Sequence, residues 1–227
     1  MSDALQKMRI DIVSDVSCPW CIIGYKALEQ ALDTLSNSIE ADIHWQPFEL
    51  NPNMLPEGED VDQHLMQKYG IDEKQIIANR DNLHQRGLSV GYEFGRRGGG
   101  KIYNTFDAHR LLHWAGLEDA LEGSLEEKQS KLKLALFDLY FKQSGNPSDH
   151  AQLLTLVESV GLDVQRAKTV LAGNEYTADV RQQQHHYQQQ GISSVPAVII
   201  NNKHLISGGQ PADIFAQALK QISQQAV

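Results

Sequence analysis

Two cysteines, Cys18 and Cys21, are the only ones in the 227-residue chain, and they stand in one Cys-Pro-Trp-Cys stretch. Pro19 has φ fixed near the helical value and needs no N–H partner, so the sequence predicts a helix starting at Pro19 with Cys18 as its N-cap. The N–H groups of a first helical turn stabilise an anion, which lowers the pKa of a thiol. We therefore expect Cys18 to be the reactive thiolate and Cys21 the less exposed thiol that attacks a mixed disulfide at Cys18.

Structural roles for the two cysteines are disfavoured by their number and spacing. Two are too few for a four-cysteine zinc site, and no second C-x-x-C or histidine pair follows at finger spacing. His109 and His113 share a helix face but lack a third ligand, so no metal site is predicted. A disulfide closing so short a loop restricts the unfolded chain by only roughly 2 kcal/mol. The motif therefore predicts thiol–disulfide exchange.

Charge and composition exclude several classes of partner. The formal net charge is -9 at pH 7 and the sequence pI is about 5.4, which argues against nucleic acid or an anionic membrane surface. The first eight residues lack the basic and apolar segments of a secretion signal, and no run of about 18 apolar residues occurs. We therefore expect a cytosolic protein. In that reducing compartment, a single C-x-x-C is typical of a catalytic or redox-sensing pair.

The elements around the cysteines predict a β-α-β unit. An apolar strand over residues 9–15 precedes the motif, and the helix that follows has apolar residues at i, i+3, i+4 and i+7 on one face. Alternation of apolar and polar residues over 39–48 predicts a second strand. The crossover between them is expected to be right-handed and the strands parallel.

From residue 53 to 174 the pattern is almost entirely helical. Capping residues predict helix starts at Asp60, Asp72, Asn104, Ser148 and Asp163, and each helix is expected to end near a glycine, at Gly70, Gly87, Gly116, Gly161 and Gly173. Asp107, at the third helical position behind Asn104, completes a start that resembles a capping box.

Strands return after a further predicted helix over residues 175–190. Residues 197–200 and 204–206 form a predicted hairpin, and Pro211 opens a last helix. The order predicts an α/β protein with a thioredoxin fold, split into β-α-β and β-β-α halves by a large all-helical insertion domain. The expected segments are an N-terminal half over 1–52, the insertion over 53–174 and a C-terminal half over 175–227.

With these motifs, the chain resembles the DsbA family of thioredoxin-fold oxidoreductases, and within it the cytosolic FrnE-like branch. The matching stretches are 14–21 (S-D-V-S-C-P-W-C), 45–52 (W-Q-P-F-E-L-N-P), 104–112 (N-T-F-D-A-H-R-L-L), 191–196 (G-I-S-S-V-P) and 207–211 (S-G-G-Q-P). The resemblance implies that the Val195-Pro196 bond is cis and faces the disulfide, and that the insertion roofs the site. It also implies a relationship to 2-hydroxychromene-2-carboxylate isomerase and kappa-class glutathione transferases.

The predicted function is thiol–disulfide oxidoreductase, in which Cys18 attacks, Cys21 resolves and Pro196 positions the substrate backbone. The expected partners are thiols and disulfides of proteins or small molecules. No cofactor is required, and glutathione is a candidate thiol co-substrate. The residues expected to contact substrate are Pro19, Trp20, Val195, Pro196, Asn104 and His109.

Several alternatives stay open at this point. Asp15 is interpreted either as a proton relay to Cys21 or as a turn-forming residue, and His109 either as a substrate contact or as a packing residue. A glutathione-dependent isomerase or transferase on the same fold is a second function, and it predicts turnover without Cys21. A redox-switched binding module is a third, and it predicts no turnover with any disulfide.

Overall fold

A computed structural model of the protein describes residues 5–95, 100–122 and 127–225, apart from the side chain of residue 122. In chain order the described elements are β1 (Gln6–Ser14), α1 (Pro19–Thr34), β2 (Ile39–Pro47), β3 (Glu59–Asp60), α2 (Val61–Tyr69), α3 (Glu73–Ser89), β4 (Lys101–Ile102), α4 (Phe106–Glu122), α5 (Lys128–Phe141), α6 (His150–Ser159), α7 (Val164–Ala172), α8 (Thr177–Gln189), β5 (Ala197–Ile200), β6 (His204–Ser207) and α9 (Ala212–Gln225).

Within these ranges, the main sheet has four strands in the order β2-β1-β5-β6. β1 and β2 are parallel, and the other two pairs are antiparallel. The central strand β1 contributes Ile10, Ile12 and Val13, which are at most 1% exposed, as expected for an apolar run buried on both faces. Val13 pairs with Ala197 of β5, so the end of β1 lies beside the start of β5. This pairing brings the cysteine motif next to the segment that precedes β5.

The predicted α/β thioredoxin fold with a helical insertion is confirmed. β1-α1-β2 and β5-β6-α9 build the main sheet and its packed helices, while α2 to α8 lie between them in the chain. A short ladder that the sequence did not predict joins β3 to β4, pairing Glu59 with Ile102. Strands of two residues are too short to show an alternating pattern, which is why periodicity did not reveal them.

Most of the predicted helix starts in the insertion are confirmed. Asp60, Asp72 and Asp163 are N-caps whose carboxylates accept backbone N–H groups of the first turn. Helix α6 differs by one residue, because Asp149 and not Ser148 is its cap. The Asp149 carboxylate accepts two N–H groups, at 2.8 and 3.2 Å, whereas the Ser148 hydroxyl donates to a carbonyl elsewhere.

The start of α4 lacks the predicted capping box. Oδ1 of Asn104 accepts the N–H of Phe106 at 2.8 Å, and the helix begins at Phe106. The Asp107 carboxylate binds Arg110 at 2.8 Å and His150 at 2.7 Å. Because these side chains occupy both carboxylate oxygens, Asp107 connects α4 to α6.

The predicted end of α4 at Gly116 is wrong, since the helix continues to Glu122. A Cβ atom on Gly116 would lie only 2.7 Å from Nε2 of Gln129 on α5. The glycine is therefore required by the close approach of two helices, and it does not mark a helix end.

Helix α5 closes the outer edge of β2 through the side chain of Gln129. Its Oε1 accepts the N–H of Trp45 at 2.9 Å, and its Nε2 donates to the carbonyls of Trp45 and Leu112 at 3.2 and 3.1 Å. The amide thus takes the place of a neighbouring strand at an otherwise open edge. The indole N–H of Trp45 also donates to the hydroxyl of Ser130 at 3.0 Å. These bonds anchor the insertion to the sheet.

We expect Gln129→Leu to lower the free energy of unfolding by about 2–4 kcal/mol. The substitution leaves the buried N–H and C=O of Trp45 without partners, and an unsatisfied buried group costs about 1–3 kcal/mol. Urea denaturation measures the change. Gln182→Leu, at an exposed position on α8, is the matched control and should change stability by no more than about 0.5 kcal/mol. Equal losses in both variants would contradict the anchoring role.

Candidate active site

Cys18 and Cys21 lie at the start of α1, as the sequence predicted. Cys18 is the N-cap, with φ −92° and ψ 112°, and Pro19 is the first helical residue. The N–H of Cys21 donates to the carbonyl of Cys18 at 3.1 Å, which holds the two residues one turn apart. Both are free thiols, with Cys18 3% exposed and Cys21 fully buried. Both cysteines are therefore buried, and Cys18 is the less buried of the two.

The segment before β5 faces Cys18. The Val195-Pro196 peptide bond is cis, and Sγ of Cys18 lies 3.7 Å from the carbonyl oxygen of Val195. The predicted cis bond and its closeness to Cys18 are thus confirmed. The carbonyl of Pro196 accepts the N–H of Gly208 at 2.8 Å, so it is held within the sheet region, while the Val195 carbonyl is the one that faces the sulfur.

Three of the predicted substrate-contacting residues are partly exposed to solvent. Pro19 and Trp20 follow Cys18 in the chain and are half-buried, as is Val195. Pro196 is buried. Pro19, Trp20 and Val195 are therefore partly accessible, and their contact with a substrate stays a prediction.

Of the other two predicted contacts, His109 needs correction and Asn104, which is half-buried, stays a prediction. His109 is only 2% exposed, and its Nε2 lies 3.6 Å from Oδ1 of Asp15, so burial removes it from the surface that a substrate reaches. The amide of Asn104 is used at both ends, because Nδ2 donates to the carbonyl of Met54 at 2.8 Å and Oδ1 accepts from Phe106. The packing interpretation of His109 is the one that the structure supports.

Asp15 forms the turn that leads into the cysteine motif. It is 1% exposed, its Oδ1 accepts the N–H of Ser17 at 3.2 Å, and its Oδ2 accepts the N–H of Leu50 at 2.7 Å. The turn-forming interpretation is therefore confirmed. The same bonds hold a carboxylate next to the cysteines, close to His109.

Lys133, on α5, is a site residue that the sequence analysis missed. It is 1% exposed, and its Nζ donates to the carbonyl of Ser14 at 3.4 Å. The ammonium also lies 5.3 Å from the ring centroid of Trp45 and 5.0 Å from that of Phe137, within range of cation–π attraction. The insertion thus places a buried cation beside the residues that lead into the motif.

A sequence signal for Lys133 did exist. Leu132, Leu136 and Phe137 are fully buried neighbours on α5, and Lys133 occupies the position four residues before Phe137 on the same helix face. A lysine inside an apolar stripe is rare unless it has a charged partner. The stripe could not show that this partner lies near the cysteine motif.

The family comparison agrees with this geometry. A family model described as the DSBA-like thioredoxin domain matches residues 9–220. The chain belongs to the DsbA-like thioredoxin family. The resemblance inferred from the motifs is therefore confirmed.

Individual relatives cover nearly the whole DsbA-like chain. It is 27% identical over 216 residues to the uncharacterized protein YwbO of Bacillus subtilis strain 168, covering 93% of this chain and 96% of that one. A probable DsbA oxidoreductase, SCO1869 from Streptomyces coelicolor, matches with a TM-score of 0.84 and 31% identity, over 94% of this chain and 89% of that one. The cytosolic disulfide reductase DsbM from Pseudomonas aeruginosa, solved with GSH, shares the fold, with a TM-score of 0.61 and 15% identity over 94% and 98% of the two chains.

In this DsbA-like protein, the two thiols interact with each other, and each shifts the pKa of the other. The hydrogen bond with Cys21 raises the pKa of Cys18, and burial raises it further. Burial alone would also raise the pKa of Cys21, but hydrogen bonds from Cys18 and Ser14 and the charge of Lys133 outweigh it and lower that pKa. The reactive thiolate predicted at Cys18 stays a prediction, because the two thiols form one hydrogen-bonded pair.

The charged neighbours of the pair are themselves perturbed by burial. Burial would raise the pKa of Asp15, but its interactions with His109 and the N–H of Leu50 outweigh this and lower it. Burial lowers the pKa of Lys133 to about 8, although Cys21 and Asp15 act to raise it. The DsbA-like site thus combines a buried carboxylate, a buried amine and a buried thiol pair.

The described ranges lack a membrane-spanning helix and a cluster of metal ligands. No helix there is long and apolar enough to cross a membrane. No three histidine, cysteine, aspartate or glutamate side chains there are grouped as metal ligands.

Titration of Lys133 should appear in the pH dependence of stability. Its pKa of about 8 in the folded protein lies below the ordinary lysine value of 10.5, so between these values the unfolded chain binds more protons and the folded state gains stability as pH rises. Relative to Lys133→Met, the wild type should gain about 3 kcal/mol of unfolding free energy from pH 7.5 to 10.5.

The measurement is urea denaturation of the oxidised proteins, in which neither thiol titrates. Lys131→Met, at an exposed position on the same helix, is the matched control, and its difference from the wild type should stay flat across this range. A flat difference for Lys133→Met as well would show that Lys133 is not a titrating buried amine.

Proposed function

We propose that this protein is a thiol–disulfide oxidoreductase that exchanges two electrons between its Cys18–Cys21 pair and the disulfides of proteins or small molecules. The observation that carries the proposal is the 3.7 Å approach of Cys18 Sγ to the carbonyl of Val195, at the entry to a strand. Membership of the DsbA-like family supports an oxidoreductase or a related isomerase. The geometry favours exchange, because both cysteines of the chain meet at this point.

In the first step, Cys18 attacks the substrate disulfide. Cys18 is the attacking sulfur because it is the less buried of the two cysteines and faces Val195. A bond forms between Cys18 Sγ and one substrate sulfur, the substrate S–S bond breaks, and the other sulfur leaves as a thiolate. Cys18 attacks as a thiolate, and its proton is released to solvent.

In the second step, Cys21 resolves the mixed disulfide. Cys21 loses its proton, its sulfur bonds to Cys18 Sγ, and the remaining substrate sulfur leaves as a thiolate. The substrate disulfide has then been reduced to two thiols and the protein pair oxidised to a disulfide. The reverse sequence oxidises a substrate dithiol, and the reduction potential of the pair against that of its surroundings sets the direction.

The backbone at Val195 is the proposed docking point for an extended substrate segment. Pro196 has no N–H and its carbonyl is bonded to Gly208, so its ring positions the chain at the entry to β5. A substrate strand that pairs with Val195 would be brought beside Cys18 by main-chain hydrogen bonds, while Pro19 and Trp20 contact its side chains.

We place this exchange in the cytosol, with glutathione as a candidate thiol co-substrate. Both cysteines of the chain belong to one C-x-x-C motif, which in a reducing compartment is typical of a catalytic pair. A small thiol can re-reduce the Cys18–Cys21 disulfide by the same two exchange steps. No further cofactor enters the proposed chemistry.

A glutathione-dependent isomerase or transferase is the second candidate. The observation that favours it is the shared fold with DsbM, which was solved with GSH. Such an enzyme would activate the glutathione sulfur and would not require Cys21 as a resolving thiol. The two candidates therefore differ in the need for Cys21.

Replacement of each cysteine by serine tests the proposal. In an insulin reduction assay we expect turnover by the wild type and none by Cys18→Ser, since the attacking sulfur is gone. Cys21→Ser should also lose turnover but should accumulate mixed disulfides at Cys18, which mass spectrometry detects. Glutathione-dependent turnover that survives Cys21→Ser would favour the second candidate. A wild type without turnover on any disulfide would favour a redox-switched binding module.

A further inference from the structure

A cavity apart from the cysteine motif lies between the segment that follows β2 and one face of α8. Its volume is about 200 Å³, enough for several water molecules or one small organic molecule. Phe48 and Pro52 form the apolar part of its wall. The polar part comes from Glu49, Arg181, Gln184, His185 and Gln188. The proposed exchange steps use none of these residues.

Glu49 places a buried carboxylate in this wall, and one of its oxygens lacks a partner. The Glu49 side chain is only 2% exposed. Its Oε2 forms an ion pair with Nη1 of Arg181 and accepts Nε2 of Gln184 at 3.0 Å. Its Oε1 is buried and has no hydrogen-bond partner in the described part of the chain. Because an unsatisfied buried carboxylate oxygen is costly, a donor bound in the cavity would stabilise the folded protein.

Arg181 brings the opposite charge to the same cavity. Its Nη1 donates to Oε2 of Glu49 and, at 2.9 Å, to Oε1 of Gln184, while the guanidinium lies 3.8 Å from the ring centroid of Phe106. None of the described residues accepts a hydrogen bond from its Nε or Nη2. These two nitrogens form an edge that binds a carboxylate through two parallel bonds. The Arg181 side chain is 46% exposed, so an anionic group has access to it.

The ion pair determines which ligands fit. A ligand that carries only a positive charge is attracted by Glu49 but repelled by Arg181, and a purely anionic ligand has the reverse problem. A molecule with an ammonium and a carboxylate a short distance apart satisfies both residues. Its net charge is zero, so its binding keeps the charges of the buried pair balanced. An α-amino acid has this arrangement of charges.

We propose that this cavity binds an α-amino acid group. The ammonium donates to Oε1 of Glu49, the carboxylate accepts from Nε and Nη2 of Arg181, and the side chain packs against Phe48 and Pro52. A free amino acid has this group, and so does the γ-glutamyl end of glutathione. The inference goes beyond the proposed thiol exchange, because it involves neither cysteine.

Binding to the oxidised wild-type protein is the first test, since no thiol then reacts. Each free amino acid found in proteins, and separately S-methylglutathione, is screened by thermal shift at millimolar concentration. Compounds that raise the melting temperature are measured by isothermal titration calorimetry. We expect at least one to bind, and its analogues without the carboxylate or without the amine to bind at least about tenfold more weakly, because each lacks a charge-assisted hydrogen bond.

Substitutions in the wall locate the binding site. Gln188→Trp, at an exposed position on α8, should fill the cavity and abolish binding, whereas Gln182→Trp, exposed on the same helix but outside the cavity, should leave it unchanged. Arg181→Met should weaken binding at least about tenfold. Arg166→Met, which breaks an ion pair with Glu175 elsewhere, is its matched control and should have no effect.

Glu49→Gln keeps the shape of the side chain and removes its charge, so it too should weaken binding. If this buried variant does not fold, the substitutions on α8 still decide the question. Binding that is unchanged in Gln188→Trp or in Arg181→Met overturns the proposal, as does a wild type that binds no free amino acid and no S-methylglutathione. Binding of S-methylglutathione alone identifies glutathione as the source of the group. A wild type that binds but reduces no disulfide supports this site while the proposed function fails.

Discussion

The pairing of the Gln129 amide with the backbone of Trp45 is the contact on which the arrangement of the site depends. An edge strand has unpaired N–H and C=O groups, and here a side chain of the insertion satisfies both groups of one residue. Gly116 permits this approach, because any larger residue would collide with the amide. One turn later on α5, Lys133 is thereby placed against the end of β1. The insertion and the redox site are therefore joined through the sheet edge.

The site groups buried ionisable residues that reduce one another's free-energy cost of burial. Asp15, Lys133 and Cys21 come from separate elements and are each at most 1% exposed. A lone buried charge is strongly disfavoured, but opposite charges at close range offset much of each other's loss of hydration. Oxidation of the cysteine pair removes two titratable thiols from this cluster. The electrostatic balance around Lys133 therefore changes with the redox state of the pair, which links the insertion to the chemistry.

The substrate side of the site follows from strand order. Cys18 and Val195 are 177 positions apart in the chain, yet their atoms lie 3.7 Å apart. The antiparallel pairing of β1 with β5 accounts for this, since Val13 and Ala197 are partners and the end of β1 therefore lies beside the start of β5. A one-residue slip would turn the apolar side chains of β1 to the wrong face, so the packed core also fixes the register that aligns the site.

The sequence by itself determined the features that rest on local patterns. These are the helix start at Cys18, the parallel β-α-β unit and the late hairpin, because proline placement and hydrophobic period act over a few residues. The cis bond before the hairpin was implied by the resemblance to the family. Tertiary structure decided the rest. Gly116 reflects contact with another helix, His109 is buried, and the charge of Lys133 helps to lower the pKa of Cys21. A thiol pKa depends on every charge and donor nearby, and Lys133 reaches Cys21 only through folding, so no local pattern near the motif could reveal it.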